Sequence, residues 1–277
     1  MRAARGFTLT ELAIVTMIVA LLLASALYTL SAQVDQRDFE ETRRRLDQAR
    51  ELVIAFAIVN GRLPCPARYV DASSNSQGRE SFCAAATGGC SGSETTTVQA
   101  HGNCSNYYDG YLPAASIGFQ RADANGFAVD AWTNRIRYVV TQTSPSCAPA
   151  NTIVYTSSAN LKTYGLACQP PDLLICKSSA GPITGASCIA STNLVTAPNV
   201  VASIVFSTGK NFSTAQTAAA ATAAGRSDEA ANLDANASFV SHTPAPSDAA
   251  NGEFDDQFVW ITSGELYARL VAAGVLP

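Results

Sequence analysis

Gly6-Phe7-Thr8-Leu9-Thr10-Glu11 opens a stretch in which no residue from Leu12 to Val34 carries a charge. Between Leu12 and Leu30 nearly every residue is Leu, Ile, Val, Ala or Met. As a helix rising about 1.5 Å per residue, some 20 such residues would cross a hydrocarbon core of about 30 Å. The spacing therefore predicts a membrane-spanning helix over residues 7–34. Glu11 breaks the pattern. A carboxylate within a span costs roughly 2.5–3.5 kcal/mol, so residues of this kind are functional suspects. The helix macrodipole offsets only about 0.3–1 kcal/mol of that near a helix start.

The helical pattern continues past the apolar run. Phe39, Leu46 and Val53 are spaced by seven, and Thr42, Ala49 and Phe56 repeat the spacing three residues later. This marks one apolar stripe with charged residues opposite, an amphipathic continuation over 35–60. Asn60-Gly61 ends it, and Pro64 and Pro66 prevent its resumption. At about 1.5 Å per residue the whole helix would measure about 80 Å.

Gly6-Phe7-Thr8-Leu9-Thr10-Glu11 followed by a long apolar helix resembles the class III leader of type IV pilins and pseudopilins. The resemblance implies that residues 1–6, with Arg2 and Arg5, form a leader. A prepilin peptidase would cut between Gly6 and Phe7 and methylate the new amine of Phe7. Glu11 of one subunit would then pair with the Phe7 amine of a neighbour and help to set axial register. Inside a low-dielectric bundle such a charge is penalised unless it is paired. An ordinary secretory signal is the rival, since Ala24-Ser25-Ala26 and Leu30-Ser31-Ala32 resemble cleavage sites. Against it, the apolar region exceeds the usual length of about 7–15 residues and contains Glu11.

Shorter patches in residues 61–277 are similar to large members of the same family. They include Gly61-Arg62-Leu63-Pro64-Cys65-Pro66, Gly110-Tyr111-Leu112-Pro113 and Phe206-Ser207-Thr208-Gly209-Lys210-Asn211. Asp130-Ala131-Trp132-Thr133-Asn134 resembles an Asp-x-Trp-Gly-Asn turn, with Thr133 where glycine is common. Asp255–Trp260 followed by Leu276-Pro277 resembles a C-terminal strand and tail. The family implies an α+β fold: a long N-terminal helix, spanning in its first half and amphipathic in its second, packed on an antiparallel β-sheet head with disulfide-rich loops.

Strands are expected over 136–141, 152–156, 200–207 and 258–262, where β-branched and aromatic residues gather between turn residues. A last helix is expected over 265–273, capped by Ser263 and stopped by Gly274. The alanine-rich stretch 215–237 reads equally as a short helix or a loop.

The chain has 277 residues, 47% of them hydrophobic and 14% charged, with a net charge of −4. Wholesale disorder and a polybasic nucleic-acid binder are thereby excluded. Eight cysteines, Cys65, Cys83, Cys90, Cys104, Cys147, Cys168, Cys176 and Cys188, all lie after the apolar run. Their even number fits four disulfides, whose pairing is not readable. Short Cys-x2-Cys metal spacing is absent. Disulfides belong to oxidising compartments, which would place the head in the periplasm or outside.

No nucleophile elbow, zinc-protease motif or Walker loop occurs, so no enzyme is expected. His101 and His242, the only histidines, read as surface residues. The acidic stretch of Asp248, Asn251, Glu253, Asp255 and Asp256 around Gly252 could offer oxygens to calcium, as major pseudopilins do. No other cofactor is expected.

These features together imply a minor, tip or adhesin-like pilin in a type IV pilus. The alternatives are a pseudopilin of a type II secretion system and a membrane-anchored periplasmic binding protein that does not polymerise. The implied partners are the prepilin peptidase, other pilins or pseudopilins and the inner-membrane assembly platform, without nucleic acid. The implied location is the bacterial inner membrane as a single-pass protein, then a periplasmic or extracellular filament. No motif identifies a surface ligand.

Overall fold

The computed structural model describes residues 8–68, 78–88, 90, 93–144, 147, 149–150, 152–165, 167–179, 188 and 193–276, apart from the side chains of 25–32 and 143–144. The chain divides into two compact units, Met1–Glu41 and Thr42–Pro277.

Helix α1 runs from Leu9 to Asn60. Its start is a capping box. The Thr8 backbone N–H donates to Glu11 Oε2 at 2.9 Å, and the Glu11 N–H donates back to Thr8 Oγ1 at 3.3 Å. Two N–H groups that a helix start leaves orphaned are thus satisfied reciprocally.

The expected membrane span is not borne out. Among the described residues, no helix is long and apolar enough to cross a membrane. The apolar run of α1 starts within the first turn of the helix. It also carries Glu11, Thr10 and Thr16, and charges return at Asp35 and Arg37. This overturns the membrane-spanning first half of the expected fold, and the single-pass inner-membrane location with it.

In the second unit, Thr42, Leu46, Ala49, Val53 and Ala57 of α1 are fully buried. Their spacing of three and four places them on one face of the helix. Arg45 donates to the carbonyls of Val129 and Asp130, and Arg50 to that of Trp260. Gly61 closes the helix at φ +67°, its N–H on the Ala57 carbonyl at 2.8 Å. Only glycine takes that left-handed position without steric cost.

Among the described residues ten strands follow: β1 (Phe82–Cys83), β2 (Glu94–Thr95), β3 (Gly110–Tyr111), β4 (Arg137–Val140), β5 (Thr143–Ser144), β6 (Thr152–Ile153), β7 (Leu174–Cys176), β8 (Val201–Ser207), β9 (Ser238–Val240) and β10 (Gln257–Thr262). Short helices lie between and after them: α2 (Ala114–Ile117), α3 (Ser158–Tyr164), α4 (Ala218–Ala223), α5 (Ser227–Ala231) and α6 (Ser263–Ala272). The main sheet is antiparallel in the order β10-β8-β4-β3. Strands β7 and β9 pair in parallel beside that antiparallel sheet.

Every residue of β8 is buried, because the sheet is covered on both faces. Alternation divides the core. Tyr138, Val140, Val205, Val259 and Ile261 join the cluster that holds Leu46, Val53 and Ala57 of α1. Val139, Ile204, Phe206 and Phe258 join the one built on Ile175, Phe239 and Val240. Successive side chains of a strand point to opposite faces, so β4, β8 and β10 each feed both clusters.

The expected strand over 152–156 shrinks to Thr152–Ile153, and the cap of α6 is Thr262, not Ser263. The alanine-rich stretch 215–237 contains α4 and α5. Four disulfides are present: Cys65–Cys104, Cys83–Cys90, Cys147–Cys168 and Cys176–Cys188.

The turn before β4 carries a backbone strain. Thr133 sits at φ +69°, held because Asp130 Oδ1 accepts the Asn134 N–H at 2.8 Å and Asn134 Nδ2 reaches the Gly209 carbonyl at 2.6 Å. A side chain there costs about 1–2 kcal/mol, against roughly 0.5–1 kcal/mol of extra backbone entropy for glycine. Thr133→Gly is therefore expected to stabilise the protein by roughly 0.5–1 kcal/mol. The denaturant midpoint should rise at unchanged slope, and an unmoved midpoint would refute the strain argument.

Candidate functional site

Gly6 and Phe7, the expected processing site, lie outside the described residues. Glu11 lies within them. Its carboxylate is fully exposed and also accepts the Thr8 hydroxyl at 2.9 Å. These Thr8 hydrogen bonds, backbone first, hold its pKa below the ordinary value. The Thr-x-x-Glu spacing that encodes the box is visible in the sequence, and it gives Glu11 a local role the apolar pattern alone did not suggest.

Beyond Glu11 the next eight large apolar side chains, Leu12, Ile14, Val15, Met17, Ile18, Val19, Leu21 and Leu22, are each exposed by 47% or more. The remaining sector of the helix holds Ala13, Ala20, Leu23 and Ala24 with Thr16 as its only polar residue, so no polar face is marked between residues 12 and 24.

In the second unit the acidic stretch is divided. Asp255 and Asp256, leading into β10, meet Glu229 of α5, and one oxygen from each lies within 4.8 Å of the others. All three residues are buried. Asp248 is exposed, and Asn251 Nδ2 donates instead to Asp228 Oδ2 at 3.1 Å and to Ser178 Oγ at 2.6 Å. Glu253 is half-buried and adds repulsion to Asp255. Glu229, which sequence reasoning missed, belongs to a short acidic step inside the alanine-rich stretch.

The three carboxylates are unequally compensated. Glu229 pairs with Arg226 at 3.1 Å, and its Oε1 accepts the Asp255 N–H at 3.1 Å. Asp256 Oδ2 accepts Asn232 Nδ2 at 2.7 Å. Asp255 Oδ2 accepts the N–H groups of Lys210 and Asn211, each at 3.0 Å. Asp255 Oδ1 and the nearby Asn211 Oδ1 are buried with no hydrogen-bond partner. Burial, then repulsion from Glu229, pushes Asp255 up to about 7 and Asp256 well above the carboxylate range. The donor set is all oxygen, the kind calcium takes. Arg226 and Asn232 already occupy part of it.

Neither histidine is placed for nucleophilic catalysis. His242 Nε2 lies 3.1 Å from Asp228 Oδ2 and its ring stacks on Phe254. The hydroxyls of Ser178 and Ser179 bond to Asp228 Oδ1 rather than to the imidazole. His101 is half-buried rather than on the surface, with Nδ1 accepting the Asn103 N–H at 3.0 Å.

No family model, curated protein or solved structure matches the chain.

Proposed function

We propose that this chain is a pilin-like filament subunit, whose N-terminal helix packs among the same helices of neighbouring subunits while the disulfide-bonded head is displayed. The observation that carries the reading is the exposed apolar run of α1, with Leu9, Leu12, Met17 and Leu21 each 59% or more exposed. Apolar surface on all sides of one helix is costly in water and suits burial among several like neighbours. The Gly6-Phe7-Thr8-Leu9-Thr10-Glu11 resemblance supports the same assembly mode and names the pair that would set its register, Glu11 and a neighbour's Phe7 amine. A minor, adhesin-like role accords with the size of the head.

The capping box sharpens the test. Glutamine serves the box as well as glutamate does, so Glu11→Gln keeps the helix start and removes only the charge. Mass spectrometry of sheared filaments should recover wild-type chain beginning at N-methylated Phe7. Glu11→Gln should lower its share of the filament at least tenfold, and Glu11→Ala should do the same. Incorporation of Glu11→Gln at the wild-type level would overturn the register pair, and a filament-bound chain retaining residues 1–6 would overturn the family reading.

A further inference from the structure

We infer that His242 and Asp228 form a pH-sensitive clamp, which holds the 243–253 loop against α5 while the imidazole is charged and loosens it when the charge is lost. The ring makes two polar contacts at once. Nδ1 lies 2.6 Å from the Thr243 carbonyl oxygen, and Nε2 lies 3.1 Å from Asp228 Oδ2. A carbonyl oxygen only accepts, so the first contact needs a proton on Nδ1. An ionised carboxylate only accepts as well, so the second needs a proton on Nε2. Neutral imidazole carries one ring proton, and only imidazolium satisfies both contacts.

Asp228 is the fixed side of the clamp. It is buried on α5. Burial alone would raise its carboxyl, but hydrogen bonds from Ser179, Asn251 and His242 outweigh burial and hold it below the ordinary value. The Ser179 N–H donates to Oδ1 at 2.6 Å, and Asn251 Nδ2 donates to Oδ2 at 3.1 Å. The Asn251 carbonyl in turn accepts the Ser227 N–H at 3.0 Å. Ala245 and Phe254 close the base of the loop with two backbone hydrogen bonds, at 2.9 and 3.0 Å. The His242 ring stacks on Phe254 at that base, with ring centres 3.9 Å apart. A charged ring there also lies over an aromatic face.

Asp228 is the charged group that touches the ring. On the same helix Glu229 pairs with Arg226 at 3.1 Å, and in the loop Asp248 is exposed while Glu253 is half-buried. Histidine is the side chain whose charge ordinarily changes between about pH 5 and pH 8. Loss of the proton turns a nitrogen lone pair toward either the Thr243 carbonyl or the Asp228 carboxylate, so one of the two contacts becomes repulsive. The clamp is therefore closed on the acid side and opens as pH rises.

The inference stands whether or not the chain polymerises. Its test is amide hydrogen exchange and NMR titration of the full chain carrying Asp255→Asn, which removes a nearby carboxyl that changes charge in the same range. Protection factors, which correct for the intrinsic acceleration of exchange with pH, should fall about tenfold for the Ser227 and Ala245 N–H groups between about pH 5 and pH 8. A further His242→Phe change keeps a ring on Phe254 without the charge. In that variant, if its melting curve matches the parent's, protection of the two groups should be low at both ends of the range. The His242 ring protons and the Ser227 and Ala245 amide signals should titrate along one curve, a measurement that does not depend on the variant folding. Protection unchanged across the range, the same fall in His242→Phe, or loop amides that titrate apart from the ring would overturn the inference.

Discussion

Glu80→Ala is expected to cost about 3–5 kcal/mol of stability, the largest loss from any single truncation argued here. Glu80 and Arg62 form a two-pronged pair, Oε1 to Nη1 at 2.6 Å and Oε2 to Nη2 at 3.0 Å, with side chains only 5% and 6% exposed. Glu80 Oε1 also accepts the Cys65 N–H at 2.8 Å, and Arg62 Nη1 donates to the Leu63 carbonyl. The guanidinium lies 5.2 Å from the Phe56 ring centre and 5.3 Å from that of Phe82. Removing the carboxylate would leave a cation and a backbone donor buried without their acceptor. The pair joins the end of α1 to the segment before β1, so its loss would loosen the point where the helix turns into the sheet. The double variant Arg62→Met/Glu80→Leu should cost less than Glu80→Ala, because replacing both charges removes the unpaired ion. Urea unfolding at fixed pH measures both. A Glu80→Ala loss below about 1 kcal/mol would show that water or a neighbouring group relieves Arg62.

The second large effect is a loss of stability with rising pH. Asp255 titrates at about 7 in the folded protein against an ordinary value of 3.8, and Asp130 at about 6, both raised first by burial. A carboxyl raised on folding stabilises fully below its unfolded pKa, and that contribution is lost as pH climbs through the folded value. About three units at Asp255 correspond to roughly 4 kcal/mol. Asp256 is raised in the same sense. The thermal midpoint should therefore fall between about pH 4 and pH 8. Asp228 and Glu11 are lowered, so their contributions decline only at more acid pH. Asp255→Asn can still accept the Lys210 and Asn211 N–H groups through its amide oxygen. It should match the wild type near pH 4, exceed it by several kcal/mol at pH 8 and flatten the profile. Parallel profiles for wild type and Asp255→Asn would remove Asp255 as the cause.

Legibility followed the range of the interaction. Gly209 follows β8 at φ +67° and Thr133 occupies a left-handed position in the Asp130–Asn134 turn. Both are encoded within five or six residues. The capping box was equally local but was masked by the apolar residues around it. The membrane span failed for a different reason: freedom from charge is not enough, and among the described residues no helix is long and apolar enough to cross a membrane. His101 read as a surface residue because nothing in its neighbours announces its partial burial.

What the chain's order alone determined is what depends on repeats of three to seven residues. The buried stripe at Thr42, Leu46, Ala49 and Val53, the stop at Gly61 and the buried run of β8 arise from side chains whose spacing matches the helix or strand they build. The tertiary structure alone decided which distant groups meet. Arg62 finds Glu80 18 positions away, Glu229 finds Asp255 26 away, and Cys65 finds Cys104 39 away. Such partners carry no periodic mark. Their meeting depends on the path of the backbone between them, and that path is chosen by how the whole core packs on both faces of one sheet.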